Sequence, residues 1–206
     1  MLPFVGADFP RLDGPRILII AESHYLPKKM PEIPVDDWYE TYGAGQPTSA
    51  SVAAHCNTRA TIGYGNNGRW GAKGLRIFAN LESEFFSAGF ERCQNGFRYV
   101  AFMNAFQRPA MNGKSIVDCE LDRKIAQGAV RHVLKVLRPR YVCVASSKVW
   151  RAIFCNIDTA GFECCAVAHA ASAWWNRRNR HGANGRLQFR NFIQNALRAS
   201  QRGGSN

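Results

Sequence analysis

The stretch RILIIAESHY, residues 16–25, places the most apolar run of the chain directly before a cluster of reactive side chains. Arg16 to Ala21 contains aliphatic residues without polar alternation, which is typical of a strand buried on both faces of a parallel sheet. The side chains that follow are those of Glu22, Ser23, His24 and Tyr25. Because a buried strand holds its end rigidly, we expect a functional site there.

Three further segments have the same strand character, and helical patterns separate them. The predicted strands are Arg16–Ala21, Arg98–Ala105, Arg140–Ser147 and Glu163–Ala168. The predicted helices are Leu75–Ala88, with Gly89 as its stop, Ser115–Leu137, Lys148–Phe154 and Gly185–Ala199. Strands separated by helices imply right-handed crossovers and parallel pairing. We therefore predict an α/β three-layer sandwich with a central, mostly parallel four-stranded sheet flanked by helices.

The length of the chain predicts one domain. With 206 residues, 46% of them hydrophobic, the chain is long enough for one buried core and too short for two ordinary ones. The domain is expected to cover residues 1–200, and QRGGSN, residues 201–206, is expected to be a disordered tail. Leu26–Gly74 is predicted to be irregular, since it contains prolines, charges and the stretch GYGNNGRWGAKG. So long a loop inside a compact domain indicates either a functional segment or a wrong assignment of its secondary structure.

The charge of the chain indicates the class of partner. A net charge of +12 and a pI near 9.8 favour nucleic acid or a nucleotide, although basicity alone also confers solubility. No apolar run approaches the roughly 20 residues needed to cross a bilayer, and the first residues lack a signal-peptide pattern. We expect a cytoplasmic, monomeric protein with no membrane partner. Seven cysteines without a CxxC pair predict reduced thiols and no metal site.

Polar side chains follow three of the four predicted strands. Glu22–Tyr25 come after the first strand, Asn104 and Gln107 after the second, and His169 and Ser172 after the fourth. Ligands of open α/β sheets bind beyond the carboxyl ends of the strands. A carboxylate, an amide and an imidazole suit the alternating donors and acceptors of a nucleobase edge. We predict that these side chains converge on one pocket.

Four motifs occur in an order that resembles the uracil-DNA glycosylase superfamily. They are RILIIAESHY, RYVAFMNAFQRPA, LRPRYVCVASSKVWRAIF and CCAVAHAASAWW, and they span Arg16 to Trp175. In that family a GQDPY or GEGPG motif follows the first strand, an asparagine closes a later strand, and a histidine motif such as HPSPLS ends the last one. Each motif alone is weak, and the four in order are more specific.

The resemblance implies a role for each position that matches a motif. Glu22 and His169 would be catalytic: Glu22 polarises water or offsets positive charge on the sugar, and His169 donates to the departing pyrimidine. The base-binding residues would be Ser23, His24, Tyr25, Asn104, Gln107 and Ser172. The implied function is DNA repair of the base-excision type. The protein would bind DNA, flip out uracil or another damaged or modified base, and hydrolyse its N-glycosidic bond.

The chain also departs from the family's motifs. Ser23 stands where the GQDPY branch has an aspartate, so this position has no charge with which to assist water. His24 replaces the proline of that motif, and Ala170 and Ala171 replace the proline and first serine of the histidine motif. Gln107 stands where the iron–sulfur branch has a cysteine. We therefore expect neither an iron–sulfur cluster nor another cofactor.

The stretch AWWNRRNRHGANGR combines aromatic residues, arginines and glycines. Such a combination can stack on bases and hold phosphates, and in the family this loop inserts into the duplex. The predicted DNA-binding residues are Trp174, Trp175, Arg177, Arg178, Arg180 and, from the glycine-rich part of Leu26–Gly74, Arg69.

Each of these assignments has a structural alternative. Glu22 could be a salt-bridged or capping carboxylate, Asn104 a turn former and His169 a satisfied core histidine. Trp174 and Trp175 could be packing residues, and the arginine run could be a solvated face. For the whole chain, the alternative is a non-catalytic nucleic-acid or nucleotide-binding protein that keeps the glycosylase fold. A third hypothesis, with Ser23 as a nucleophile, is disfavoured because the chain lacks a GxSxG motif around it.

Overall fold

The computed structural model describes residues 1–11, 14–30, 33–42, 50–65, 70, 75–111, 114–178 and 182–203. Its centre is a five-stranded sheet with the order β1-β3-β2-β4-β5. The strands are β1 Phe4–Val5, β2 Ile17–Ala21, β3 Val100–Asn104, β4 Tyr141–Val144 and β5 Glu163–Ala166. β2 pairs in parallel with β3 and β4, and β4 pairs in parallel with β5. The predicted α/β class is confirmed.

The predicted count of four strands is wrong, because β1 adds a fifth, antiparallel strand beside β3. A two-residue strand is too short to show a recognisable alternation of apolar and polar residues. Gly6 follows β1, and a Cβ atom there would lie 2.3 Å from the carbonyl oxygens of Phe97 and Arg98. Only glycine therefore allows the chain to leave β1 so close to the neighbouring backbone.

Helices cover both faces of the sheet. They are α1 Val35–Asp37, α2 Ala50–His55, α3 Thr58–Gly65, α4 Arg76–Ala88, α5 Glu120–Leu137, α6 Ser147–Ala152 and α7 Gly185–Gly203. α4 and α7 pack on the face that carries Ile17 and Ile19, whereas α5 and α6 pack on the face that carries Leu18 and Ile20. Alternate residues of β2 thus enter two apolar cores, and each buried aliphatic side chain stabilises the fold by about 1.5–3 kcal/mol.

Several helix boundaries have identifiable causes. α4 stops at Gly89, as predicted, because Gly89 adopts a left-handed conformation with φ of 118°. α5 begins at Glu120 rather than at Ser115, since the Asp122 carboxylate accepts the backbone N–H of Cys119 at 3.1 Å and caps the helix there. α7 continues to Gly203, so the first half of the predicted tail is helical; residues 204–206 lie outside the described residues.

The prediction that Leu26–Gly74 is irregular is wrong for the described part of the segment; residues 31–32, 43–49, 66–69 and 71–74 lie outside the described residues. The segment contains α1, which continues as a π-helix over Trp38–Tyr42, and then α2 and α3. Trp38, Val52 and Ile62 from this segment are buried. These apolar anchors are too widely spaced to give helical periodicity, whereas the prolines and glycines between them are typical of loops.

The buried carboxylate of Asp122 in α5 binds both the loop after β3 and the π-helix. Arg108 donates to both carboxylate oxygens of Asp122, at 3.0 and 2.7 Å, and the Tyr39 hydroxyl donates to Oδ1 at 2.7 Å. Asp122 is fully buried, which opposes ionisation, but the hydrogen bonds from Arg108 and Tyr39 hold the pKa of Asp122 below its ordinary value. The carboxylate thus joins a segment early in the chain to a helix near its middle.

We expect Asp122→Asn to lower the free energy of unfolding by about 3–5 kcal/mol, because the change leaves the buried Arg108 guanidinium without its counter-charge. Urea denaturation measures this loss. Asp8→Asn is the matched control, since Asp8 pairs with the solvent-exposed Arg98 at 2.7 Å and solvent screens that pair. A loss from Asp8→Asn as large as that from Asp122→Asn would contradict the structural role of the buried pair.

Candidate functional site

A cavity of about 230 Å³ opens at the carboxyl edge of the sheet, beside the ends of β2 and β3. Its polar lining includes Ser23, His24, Tyr25 and Asn104. Phe78 from α4 and Phe102 from β3 supply an apolar wall. The volume lies below the roughly 300–1,000 Å³ of pockets for drug-sized ligands, so the cavity suits a ligand of one small ring system.

The segment Leu26–Gly74 forms another wall of this cavity. Ala54 and His55 of α2 and Thr61 of α3 line it. Thr58, at the start of α3, is hydrogen-bonded through Oγ1 to Nε2 of His24 at 3.0 Å, and both side chains are buried. α3 is therefore attached directly to the end of β2, and part of the cavity comes from outside the sheet.

The polar side chains that line the cavity can form hydrogen bonds, but among the described residues none of them belongs to the acidic or basic types Asp, Glu, Lys and Arg. The Ser23 hydroxyl is buried and has no hydrogen-bond partner among the described residues. Within the same ranges, the side-chain amide of Asn104 makes no hydrogen bond. A buried polar group without a partner costs about 1–3 kcal/mol. A ligand with donors and acceptors on its edge would offset that cost.

Glu22 lies next to the cavity but does not line it. Side chains alternate between the two faces at the end of β2, so Ser23 faces the cavity and Glu22 faces the opposite side. Oε1 of Glu22 accepts from the Ser115 hydroxyl at 2.5 Å and the Ile116 N–H at 3.2 Å, and Oε2 accepts from the Ser146 hydroxyl at 3.0 Å. Oε2 has lone-pair capacity for one further donor.

His169 follows β5 and packs edge to face against Tyr25, with ring centroids 6.4 Å apart and planes at 84°. Nδ1 of His169 accepts the Ala171 N–H at 3.2 Å, so the neutral ring carries its proton on Nε2. Burial lowers the pKa of His169, and the Glu22 charge only partly opposes this. Burial, and to a lesser extent the negative charge of Glu22, raises the pKa of Tyr25 to about 12. Both rings are therefore neutral donors at neutral pH.

Of the side chains predicted to converge on one pocket, Ser23, His24, Tyr25 and Asn104 line the cavity, whereas Glu22, His169, Gln107 and Ser172 do not. Gln107 is engaged elsewhere, because its Nε2 donates to the carbonyls of Asn104 and Ala105 at 3.0 and 3.2 Å and its Oε1 accepts from the Met1 amino group at 2.7 Å. The Ser172 hydroxyl is buried, without a partner among the described residues. Gln107 thus shapes the loop after β3 rather than offering its amide to a ligand.

The two neighbouring tryptophans have different environments. Trp174 is 61% exposed, whereas Trp175 is 2% exposed and packs on Phe189 with ring centroids 5.7 Å apart. The prediction that Trp175 contacts DNA is therefore wrong, because the 3₁₀ turn Ala173–Trp175 directs it into the core. Arg177 and Arg178 are exposed. Arg69 and Arg180, also predicted to bind DNA, lie outside the described residues.

The sequence analysis missed the aromatic wall and the residues that hold Glu22. Phe102 precedes Asn104 by two positions in β3, so strand alternation places both on one face and could have identified Phe102. Ser146 follows β4 at the edge where Glu22 follows β2, and the same reasoning applies to it. Ser115 gave no such signal, because its segment has a helical pattern.

Comparisons with known proteins leave the site to be interpreted from its own geometry. No protein-family model matches the chain, and no curated protein matches it either. Within the described ranges, none of the helices has both the length and the apolar character required to cross a membrane. The same residues contain no group of three or more His, Cys, Asp or Glu side chains placed to hold a metal ion.

We expect His24 to make folding sensitive to acid. Burial lowers the pKa of His24 to about 4 from its ordinary value of 6.5. Below pH 6.5 the unfolded chain therefore binds a proton that the folded chain does not, and about 3 kcal/mol of stability is lost by pH 4. Urea titrations of the wild type and His24→Gln over this range measure the difference. Identical pH profiles for the two proteins would contradict the neutral, buried His24.

The two tryptophans should respond differently to truncation. Trp175→Ala is expected to lower the free energy of unfolding by about 3–5 kcal/mol, because it leaves a cavity in the core. Trp174→Ala should change it by no more than about 0.5 kcal/mol, because the side chain is largely in solvent. Chemical denaturation of both variants tests this, and a large loss in Trp174→Ala would show that this side chain is buried.

Proposed function

We propose that this chain is a DNA glycosylase-like hydrolase, which binds DNA and hydrolyses the N-glycosidic bond of uracil or another damaged or modified base. The observation that supports this most is the uncharged cavity in which the Ser23 hydroxyl and the Asn104 amide lack partners within the described ranges. An amide both donates and accepts, as the edge of a pyrimidine does. Tyr25 and Phe102 give such a base aromatic walls.

The surroundings of the cavity suit the charges that develop in this reaction. Cleavage of an N-glycosidic bond leaves negative charge on the base and positive charge on the sugar. In the proposed mechanism, the base departs as an anion, and neutral His169 donates a hydrogen bond from Nε2 to it. As the bond to the base breaks, a water held by the remaining lone pair of Oε2 of Glu22 adds through its oxygen to the sugar carbon. Its proton passes to the Glu22 carboxylate, whose negative charge until then offsets the positive charge on the sugar. The bonds from Ser115 and Ser146 keep the Glu22 carboxylate in one orientation.

The charge and the exposed arginines support a DNA partner. The net charge is +12, and Arg177 and Arg178 lie in solvent close in sequence to the exposed Trp174. Cations of this kind neutralise phosphates, and an exposed indole can stack on an unpaired base. Both features follow His169 closely in sequence.

The alternative is a non-catalytic protein that binds nucleic acid or a nucleotide through the same cavity. One observation favours it: among the described residues no carboxylate lines the cavity, and Ser23 supplies only a hydroxyl. Such a protein would bind a base without cleaving it. Activity measurements separate the two functions, because both predict binding and only one predicts an abasic product.

The test is an abasic-site assay on single-stranded and duplex oligonucleotides that contain uracil or a panel of other modified bases. We expect wild-type protein to release at least one of these bases. Asn104→Ala, His169→Gln and Glu22→Gln should each lower the rate by about 100- to 1,000-fold, because each removes a group that acts on the base, the leaving charge or the water. His132→Gln, a change on the exposed face of α5, is the matched control.

Unfolding curves for each variant establish that it is folded. Unchanged rates in Asn104→Ala and His169→Gln would overturn the assignment of the cavity to the reaction. If wild-type protein releases no base from the panel but binds the oligonucleotides with an affinity that falls steeply with salt, the non-catalytic alternative replaces the hydrolase.

A further inference from the structure

A second groove, of about 420 Å³, lies at the same carboxyl edge of the sheet. It runs between α6, the residues after β5, the turn Ala173–Trp175 and the start of α7. Its larger side chains are those of Trp150, Arg151, Trp174, Arg177 and Gln188. At this size the groove falls within the usual range for a ligand larger than a single ring.

The groove is positively charged. Arg151 and Arg177 line it, and no Asp or Glu side chain lines it among the described residues. Neither arginine is paired with a carboxylate within the described ranges. Arg151 donates from Nε to the Ser147 carbonyl at 3.2 Å, which leaves its terminal amino groups available. Two such guanidinium groups complement the phosphates of a nucleic-acid strand.

The groove also exposes an aromatic surface. Trp174 is 61% exposed, an unusual position for so large an apolar ring, while its neighbour Trp175 is buried in the core. Trp150 lines the groove from α6. Exposed aromatic rings beside unpaired arginines are the combination that binds single strands, because each unpaired base has a flat face that can stack. A paired duplex does not present such faces.

The position of the groove relates it to the cavity of about 230 Å³. The cavity lies beside the ends of β2 and β3, and the groove lies beside the ends of β4 and β5. The loop from His169 to Ser172 starts directly after the residues that line the groove, and His169 packs against Tyr25 of the cavity. A strand that follows this edge of the sheet would therefore reach both.

We propose that the groove binds a nucleotide of a single DNA strand, next to the nucleotide whose base enters the cavity. The base of this neighbouring nucleotide stacks on Trp174, and its phosphates bind Arg151 and Arg177. This inference rests on the proposed function in one respect, the identity of the base in the cavity. It adds a single-strand preference and one residue, Arg151, to which the motif resemblance assigns no role.

Binding of a short, fluorescently labelled oligothymidylate tests the groove separately from the reaction, because this strand contains no base proposed as a substrate. We expect Trp174→Ala to weaken binding by about 5- to 150-fold, the range found when one stacking ring is removed. The double variant Arg151→Gln/Arg177→Gln should lower the slope of log affinity against log salt by about 1.4, because two phosphate contacts are lost.

Arg140→Gln/Arg198→Gln is the matched control, since both arginines are exposed and Arg140 precedes β4 at the opposite edge of the sheet. It removes the same charge and should keep the wild-type salt slope. Equal effects of the two double variants would overturn the groove as the binding site. So would binding of thymidine monophosphate, of the matched duplex or of a polyglutamate peptide as tightly as the single strand.

The outcomes for the groove and for the proposed function can be distinguished. A protein that binds oligothymidylate through Trp174 and Arg151 but releases no base would refute the hydrolase and support the groove. A protein that releases a base, while its groove variants bind oligothymidylate as the wild type does, would refute the groove and leave the hydrolase in place.

Discussion

The carboxylate of Glu22 is the point at which three distant parts of the chain meet. Its two oxygens accept hydrogen bonds from Ser115 and Ile116, which precede α5, and from Ser146, which follows β4 and caps α6. β2 is the middle strand of the five-stranded sheet, so its end lies between these segments. A buried carboxylate requires such donors, and the loops around the edge are therefore held in one arrangement.

The alternation of side chains at the end of β2 divides the site into two parts. Glu22 faces the segments before α5 and α6, whereas Ser23 faces the cavity and α4. His169 and Tyr25 lie between these parts, and the Glu22 charge affects the pKa of both rings. The Glu22 carboxylate thus lies close to the uncharged cavity without lining it. The pocket itself therefore favours uncharged ligands, although a carboxylate lies close to the two rings at its edge.

Much of the sheet could be predicted from the sequence, and the reasons for the failures are physical. The parallel strands are short apolar runs buried on both faces, and such runs are recognisable without knowledge of their neighbours. The position of Asn104 at the end of β3 was predictable for the same reason. β1 was not, because two residues carry no pattern. The helices of Leu26–Gly74 were not, because their anchors, such as Trp38, act through tertiary contacts. The direction of Glu22 was predictable in principle, since strand alternation separates it from Ser23.

The attachment of α3 through Thr58 and His24 means that the cavity has walls of two different origins. The ends of β2 and β3 belong to the core that determines whether the chain folds. Ala54 and Thr61 belong to helices outside the sheet, and replacing them reshapes the pocket without altering the paired strands. Substitutions in this outer wall can therefore change the shape of the cavity, while the sheet beneath it stays the same.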